Sequence, residues 1–547
     1  MAVTPMSPVS DTPQPEQPEP KSSTQVFAIH GADPEVQAYA MAKYSRSALS
    51  MKESLSELNA QKAEKFLNTF YFQYGHRSIA DLAHIAMAIE SLSLLAATIV
   101  VDETRWDGQE RSTRYQNFQK SGYFTPDFGP DAASAKLYGE TIQFLFAEYQ
   151  HFSEQMFQHL AAHTPRPDDM KPDAYERTLR ARAFDISRYL LPLATNTSLG
   201  QIVNARTLET QVSRLLSHTH KEVRDLGQKL KDAAREPSYN VNHKAMQELI
   251  ADIREQNPQL AEKAEQQLLR EVRVSPTLVK YAEPSQYEIE TRQQLQQAAT
   301  ELMKDAAIER SKEVDLLEPD PLEIELATSL LYQGSHYPYR QLRQAVESLS
   351  AQRRDEIVDL GLRHRGRHDE LARAFSAGQQ FRFDILMDIG GYRDLHRHRR
   401  CVQLHQAYTH LHGFDLPREI ADAGIAPRYE QTMHRVAQAI ETVGAPSSSR
   451  ERQDGSDTAG TPAQLSNLEP AENAQYLLPL AYRKRTLFKM DFAEVVYISE
   501  IRTTPQGHFS YRNIAWQMYD EVARKHPSLR PYFRVCDVHE PVDLLKR

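Results

Sequence analysis

Residues 190–194 read LLPLA, and residues 477–481 read LLPLA again. An arginine-rich segment lies upstream of each copy, RWDGQERSTRYQNF at 105–118 and RDLHRHRRCVQLHQ at 393–406. Each copy is followed by a run of helical pattern that ends in charged residues. One shared pentapeptide is weak evidence, but the common order of features predicts an internal duplication.

The chain has 547 residues, more than one compact domain usually holds, so two domains fit the duplication. Residues 1–25 are dense in Pro, Ser, Gln and Glu, which predicts a disordered tail. We predict a first domain at 26–235, a helical connector at 236–273 and a second domain at 274–547. These two domains are called the first half and the second half below. A low-complexity stretch, 444–470, predicts a flexible insertion in the second half.

Each half is expected to be helix-rich, with a small sheet packed by helices, and the predicted fold class is α+β. Residues 378–389 (GQQFRFDILMDI) are a candidate strand. Residues 241–272 predict a charged amphipathic helix interrupted at Pro258. Residues 82–101 are the most apolar stretch, and their small residues at helical spacing predict a buried core helix rather than a membrane span.

Composition excludes several classes of protein. The formal net charge of -9 argues against a nucleic-acid binder, which normally carries a basic field. With only Cys401 and Cys536, the chain has neither a disulfide framework nor a thiol-rich zinc site. We therefore expect a cytoplasmic protein that binds no metal, no membrane and no nucleic acid.

Three segments of the first half combine residues suited to ligand binding. The stretch Glu110–Tyr115 (ERSTRY) joins a carboxylate, arginine forks and a hydroxyl, which suits a phosphate, although a solvated charged turn is the alternative. His76 and Ser78, in GHRS, open a helical pattern, where Ser78 either caps the helix or contacts a ligand. Asn204 and Arg206 either bind an adenine or flavin edge or belong to a structural ion pair.

The second half carries His396-Arg397-His398-Arg399-Arg400, a positive patch in an acidic protein. Such a patch suits phosphates or an anionic ring. Its apolar flanks, ILMDIGGY before and CVQL after, indicate that it lies beside a core rather than on a solvated face.

Together and in this order, these segments resemble the flavin-dependent thymidylate synthases. In the first half, the resemblance implies that Glu110, Ser112, Arg114 and Arg188 bind deoxyuridylate (dUMP). It implies flavin contacts for a second set: His76, Ser78, Asn204 and Arg206. In the second half, it implies that Arg397, His398 and Arg399 bind the flavin and that Arg502 is the catalytic arginine.

Each half also departs from the family pattern. Asp102-Glu103-Thr104 stands where the first half should carry the Arg-His-Arg triplet, and Arg214 lies one position early for a catalytic arginine. In the second half, Ala407 replaces the serine of the motif, and Gln475 replaces the nucleotide-contacting arginine. Each half therefore lacks what the other keeps, which predicts either a divided active site or decay of both copies.

The resemblance implies an FAD-dependent thymidylate synthase that converts dUMP to dTMP. Methylenetetrahydrofolate would supply the carbon, and NADPH would reduce the flavin. It also implies a homodimer that forms a pseudo-tetramer, because the family is tetrameric. The alternative is a catalytically degenerate protein of the same fold that only binds flavin or nucleotide.

Overall fold

A computed structural model describes residues 29, 31–43, 51–56, 60–68, 77–366, 369–444 and 471–545. The predicted tail at 1–25 lies outside these residues, as do His76 and all of the predicted insertion except Gly444. No helix in the described ranges is both long and apolar enough to cross a membrane.

Helices make up most of both halves. Those before the connector are Pro34–Lys43, Met51–Ser56, Ala60–Leu67, Leu94–Val100, Ala132–His163, Pro172–Ser187, Ala205–Leu216 and Lys221–Arg235. The predicted connector contains His243–Gln256 and Pro258–Leu268. Those that follow are Gln286–Leu302, Leu322–Tyr332, Tyr339–Glu347, Ala351–Leu360, Ile389–Leu395, Arg418–Asp422, Ala426–Gly444, Glu472–Gln475, Phe492–Arg502 and Phe509–Lys525. Short 3-10 segments occur at Arg77–Leu82, Arg188–Leu190, Arg373–Phe375 and Pro527–Tyr532.

Each half contains one antiparallel sheet. Strands β1 (His84–Ser93), β2 (Asp107–Glu110) and β3 (Asn196–Asn204) form the first, in the order β1-β3-β2. Strands β4 (Val314–Leu317), β5 (Phe381–Asp388), β6 (Val402–His405) and β7 (Arg483–Met490) form the second, in the order β4-β5-β7-β6. Helices that pack around two small sheets confirm the α+β class.

The registers of the two sheets match, which identifies equivalent residues. Glu110 lies opposite Leu199 in the first sheet, and His405 lies opposite Thr486 in the second. The helices that follow β3 and β7 begin alike, because Asn204 accepts a hydrogen bond from the backbone N–H of Thr207 and Asp491 accepts one from that of Glu494. The two sheets are therefore copies of one design.

The two LLPLA segments pair with each other. Pro192 lies opposite Pro479 in an antiparallel bridge. The N–H of Leu193 donates to the carbonyl of Leu478 at 2.9 Å, and the N–H of Leu480 donates to the carbonyl of Leu191 at 3.0 Å. Exchanging each residue for its equivalent in the other LLPLA copy turns the first hydrogen bond into the second. A pseudo-two-fold axis therefore passes between the two prolines.

One hydrophobic core crosses this axis. It joins Leu191 and Leu193 to Leu478 and Leu480, all fully buried. Burial of apolar surface on both sides of the axis stabilises the contact at about 25 cal/mol per Å². The halves thus meet through apolar side chains, while two further core clusters lie wholly in the second half.

The structure corrects one sequence prediction and bears out two. The predicted helix at 82–101 is wrong, because its first part is strand β1 and only Leu94–Val100 is helical. Ile85 and Ile89 are buried while His84, Ala86 and Glu90 are exposed, which is the period of a strand. The candidate strand at 378–389 is β5, and the connector helices break before Pro258 as predicted.

Candidate functional site

Arginines of both halves meet around Asp394, which lies at the end of the helix after β5. Nη2 of Arg188 is 3.4 Å from a carboxylate oxygen of Asp394. Burial opposes ionisation of Asp394, but the positive charges around it outweigh that effect and hold its pKa below the usual value. These charges are Arg188, Arg114, Arg397 and Arg502. We call these four arginines and Asp394 the Asp394 cluster.

Tyr511 ties the two contributions together. Its hydroxyl accepts a hydrogen bond from Nη1 of Arg114 at 3.1 Å. The guanidinium of Arg114 lies 5.6 Å from the centre of the Tyr511 ring, and that of Arg502 lies 5.5 Å from it. Cations within about 6 Å of an aromatic face are attracted by its quadrupole. Tyr511 therefore fixes one arginine of each half.

Asp185 neutralises two of the arginines. It accepts hydrogen bonds from Nε and Nη2 of Arg114 at 3.0 and 3.2 Å, and Nε of Arg188 is 3.5 Å from the same carboxylate. Nδ1 of His508 lies 3.0 Å away. Burial opposes ionisation of Asp185, yet His508, Arg188 and Arg114 hold its pKa well below the usual value. Arg114 and Arg188 are thus held in a buried ion pair.

The other two residues predicted to bind the nucleotide, Glu110 and Ser112, contact Arg393 and Arg114. Glu110 forms an ion pair with Arg393 of the second half. The hydroxyl oxygen of Ser112 accepts a long hydrogen bond, 3.3 Å, from the backbone N–H of Arg114. The structure therefore brings the segment Glu110–Arg114 against Arg393 and Tyr511 of the second half.

The second half's basic patch is less positive than its sequence indicates. Burial lowers the pKa of His396 to about 3 and also lowers that of His398. Arg397 is exposed, and its guanidinium makes no hydrogen bond or ion pair within the described ranges. Arg399 stacks on Trp106 of the first half at 4.6 Å and reaches the carbonyl of Val101. Both histidines are neutral near pH 7, so the charge belongs to the arginines.

The first-half residues assigned to the flavin lie apart from the Asp394 cluster. Asn204 caps the helix Ala205–Leu216. Arg206 pairs with Asp81 at 3.5 Å and with Glu370 at 3.3 Å, as the structural alternative anticipated. Ser78 is exposed in a 3-10 segment. Within the part of the chain that is described, no side-chain hydrogen bond or ion pair joins these three residues to the Asp394 cluster.

Arg214, the misplaced arginine of the first half, is bound to Glu103. Its Nε and Nη2 lie 2.9 and 2.7 Å from one oxygen of that carboxylate, and Nη2 also donates to the carbonyl of Ile99 at 2.9 Å. Since Glu103 stands in place of the triplet histidine, the acidic replacement and the shifted arginine neutralise each other.

Three residues of the site could not be named from motifs, although the arginine-rich segment at 393–406 contains one of them, Asp394. Asp394 lies three positions before Arg397, and Tyr511 lies in the FSYR run after Arg502. Asp185 is an ordinary helix residue whose partners are distant in the chain. Asp394 was within reach, because an acid inside an arginine-rich segment is a natural counter-charge.

The description "Thymidylate synthase complementing protein" belongs to a family model that matches residues 28–237 and 316–528 of the chain. The chain belongs to this family. The two matched segments confirm the tandem copies and the resemblance found in the sequence.

Three similar proteins differ in their sequence identity to this chain and in how much of it they cover. A UPF0159 protein from Chlamydia muridarum is 27% identical over 551 residues, covering 94% of this chain and 92% of its own length. A flavin-dependent thymidylate synthase from Sulfolobus acidocaldarius is 35% identical over 72 residues, covering 13% of this chain and 28% of its own. The solved flavin-dependent thymidylate synthase of Helicobacter pylori, complexed with FAD and dUMP, is 15% identical with a TM-score of 0.25, covering 37% of this chain and 89% of its own.

Proposed function

We propose that the chain is an FAD-dependent thymidylate synthase. It would convert dUMP to dTMP with methylenetetrahydrofolate and NADPH, at a composite site built from both halves. The observation that carries this proposal is the Asp394 cluster, in which Arg114 and Arg188 of the first half meet Arg397 and Arg502 of the second. Asp185 and Asp394 offset two of the four guanidinium charges, which leaves a net positive site for an anionic nucleotide and cofactor.

The second-half residues fit the anionic part of FAD. Arg397 is exposed with its guanidinium uncommitted within the described residues, and Arg399 lies beside it against Trp106. An arginine fork suits a phosphate. When bound, the flavin supplies the hydride, while the protein orients and polarises the reactants. Arg397, His398 and Arg399 would hold it, with Asn204, Arg206, His76 and Ser78 as the proposed first-half contacts.

The nucleotide contacts would come from Glu110, Ser112, Arg114 and Arg188. Arg114 and Arg188 act chiefly as fixed positive charges here. Asp185 occupies Nε and Nη2 of Arg114, and Nη1 and Nη2 of Arg188 contact Thr113 and Asp394 at 3.4 Å. Arg502 would face the uracil ring, where a guanidinium that stays charged stabilises negative charge as the ring is activated. No cysteine nucleophile is needed.

Flavin retention is the direct test. Chain purified without added cofactor should be yellow and show a flavin absorption band. Arg397→Ala should weaken FAD binding by about 10- to 100-fold, since a hydrogen bond to a charged group contributes about 1.5–3 kcal/mol. Arg400→Ala is the matched control, because Arg400 is exposed and adjacent but pairs with Asp491 at 2.9 Å. Equal FAD affinity in both variants would contradict the assignment.

A second candidate function is binding of flavin or nucleotide without catalysis. The burial of Arg114 and Arg188 in ion pairs with Asp185 favours it, because a phosphate would have to compete with that carboxylate. An assay of the chain with dUMP, methylenetetrahydrofolate, FAD and NADPH distinguishes the two candidate functions. Production of dTMP supports the synthase, whereas bound flavin with no dTMP supports the binding protein.

We also propose that two chains associate into a homodimer, since one chain holds two copies of the family domain. Light scattering should give the mass of two chains at micromolar concentration, and the mass of one chain would contradict the proposal. A cytoplasmic location is likewise proposed, on the scarcity of cysteine.

A further inference from the structure

Three potential ligands from both halves converge in one cluster. Oδ1 of Asp102 lies 3.8 Å from Nε2 of His396 and 3.6 Å from Nε2 of His405. One ligand atom from each of the three residues lies within 4.8 Å of the others. Asp102 belongs to the first half, and both histidines belong to the second. We call these residues the Asp102 triad.

The hydrogen bonds of His396 leave one ring nitrogen free to bind an ion. Gln403 donates from its amide nitrogen to the carbonyl of His398 at 2.9 Å, which orients the amide. Its oxygen then faces Nδ1 of His396 at 2.8 Å, so Nδ1 carries the proton and Nε2 holds a lone pair. That Nε2 is buried and has no hydrogen-bond partner among the described residues. Buried polar atoms are rarely left unpaired, and metal-binding histidines use their other nitrogen in this way.

The surroundings suit a ligating carboxylate and imidazole. Arg373 donates to Oδ1 of Asp102 and, at 2.7 Å, to its backbone carbonyl, which holds the carboxylate in place. An oxygen with two lone pairs can accept from Arg373 and still bind an ion. Nδ1 of His405 is 3.0 Å from the hydroxyl of Tyr392, whose oxygen can accept a hydrogen bond from the Nδ1–H group. The distances from Asp102 to His396 and His405 exceed the edge of a tetrahedral zinc site, about 3.3 Å, by only a few tenths of an ångström.

We propose that Asp102, His396 and His405 bind one divalent transition-metal ion, Zn²⁺ or Fe²⁺, which links the two halves of the chain. Two histidines and one carboxylate form a recognised ligand set for both ions and leave a coordination position open.

Two residues of the triad correspond, across the axis, to one residue proposed to bind the nucleotide and one proposed to bind the flavin. His405 is the counterpart of Glu110 by strand register, and Asp102 lies as far beyond Leu94 as Arg397 lies beyond Ile389. Leu94 and Ile389 are equivalent, because their N–H groups donate to the carbonyls of Thr195 and Tyr482. The inference does not depend on the proposed synthase activity, since only the triad's own geometry carries it.

Metal content of the native chain is the first measurement. Protein purified without chelator should hold about one equivalent of zinc or iron by elemental analysis, and this identifies the ion. Chelator-treated chain should bind one equivalent of Co²⁺, with the absorption bands of a site that has nitrogen and oxygen ligands. X-ray absorption at the edge of the bound metal should show imidazole ligands and no sulfur. A native chain that binds neither Zn²⁺, Fe²⁺ nor Co²⁺ at equimolar concentration overturns the proposal.

Substitutions then locate the site. His396→Gln, His405→Gln and Asp102→Asn should each lower the affinity for Co²⁺ at least 10-fold. The matched control is His410→Gln, because His410 also pairs with a carboxylate, Glu441 at 3.3 Å, but lies outside the triad. Zn²⁺ should raise the melting temperature of the native and control chains and not that of the triad variants. Unchanged affinity in folded triad variants, judged by circular dichroism, overturns the proposal even if the native chain binds metal.

Discussion

Nε of Arg502 donates a hydrogen bond to Nε2 of His398, with 2.7 Å between the two nitrogens. Nε2 is therefore the unprotonated nitrogen of that ring, and the proton sits on Nδ1, which faces Glu494 at 3.4 Å. The triplet histidine thus acts on the arginine proposed to be catalytic and holds its guanidinium against Tyr511. Both residues belong to the second half.

Replacing Arg502 should slow turnover more than it weakens binding. Arg502→Ala should reduce kcat about 100-fold, the usual scale for losing one charge-stabilising donor, with a smaller change in the KM for dUMP. The kcat of Arg502→Lys should lie between that of Arg502→Ala and that of the native chain, because lysine keeps the charge but loses the donor to His398. Steady-state assays of dTMP formation measure both constants. An unchanged kcat in an active Arg502→Ala enzyme would remove Arg502 from the reaction.

The shared core predicts that both halves unfold together. The chain has two tryptophans, Trp106 in the first half and Trp516 in the second. Trp516→Phe leaves a fluorescence reporter of the first half, and Trp106→Phe leaves a reporter of the second. In urea, each variant should unfold in one transition whose midpoint matches that from its own circular dichroism. Two separate transitions in either variant would mean that the core across the axis is weak.

Asp384 should be essential to the second half's stability. Its carboxylate accepts hydrogen bonds from Arg485 at 2.8 Å, from the hydroxyl of Tyr332 at 2.7 Å and from the backbone of Tyr339 at 2.8 Å, all buried. Asp384→Ala should lower the free energy of unfolding by about 3–5 kcal/mol, because it leaves the Arg485 charge buried and unpaired.

The control for Asp384 is Asp359→Ala, which breaks an exposed pair with Arg363. Exposed pairs contribute about 0–1 kcal/mol. Urea denaturation of both variants gives the comparison. Similar losses from the two substitutions would show that the buried network adds little.

Asp388 should make stability fall as the pH rises. Burial, with a smaller contribution from Asp415, raises the pKa of Asp388 to about 7, so the folded chain binds this proton more tightly than the unfolded chain. The stabilisation is complete at low pH and is lost as the pH rises towards and through 7. Asp388→Asn removes the charge, while its side-chain oxygen can still accept from the N–H of Gly391.

Melting temperatures at pH 5 and pH 8 test this. The native chain should lose more stability over that interval than Asp388→Asn. Asp127→Asn, at an exposed turn, should behave like the native chain. Identical slopes for the native chain and Asp388→Asn would show that the carboxyl does not titrate in this range.

The sequence revealed the duplication, the family, strand β5 and the helix break before Pro258, because these depend on local pattern. It was wrong about β1, where apolar residues with small side chains satisfy a helical period and a strand period alike. The strand is also irregular. Ser91 adopts a φ of 61° at a register shift between Glu90 and Leu92, and no periodic pattern predicts such a bulge.

The site was harder to predict than the fold. Arg114, Arg188, Arg397 and Arg502 could be named from motifs, but their convergence on Asp394 depends on how the halves pack. The Asp102 triad is the clearest case. Asp102 entered the sequence analysis only as a departure from a motif, and its approach to His405 follows from a contact between segments far apart in the chain.

The pairing of Pro192 with Pro479 also changes what a single mutation can do. In an assembly of identical subunits, a substitution next to the two-fold axis appears twice and meets its own copy. Here the two prolines are encoded by separate codons, so either side of the axis can be altered while the other is kept. Equivalent positions in the two halves can therefore diverge independently, without either change being imposed on both.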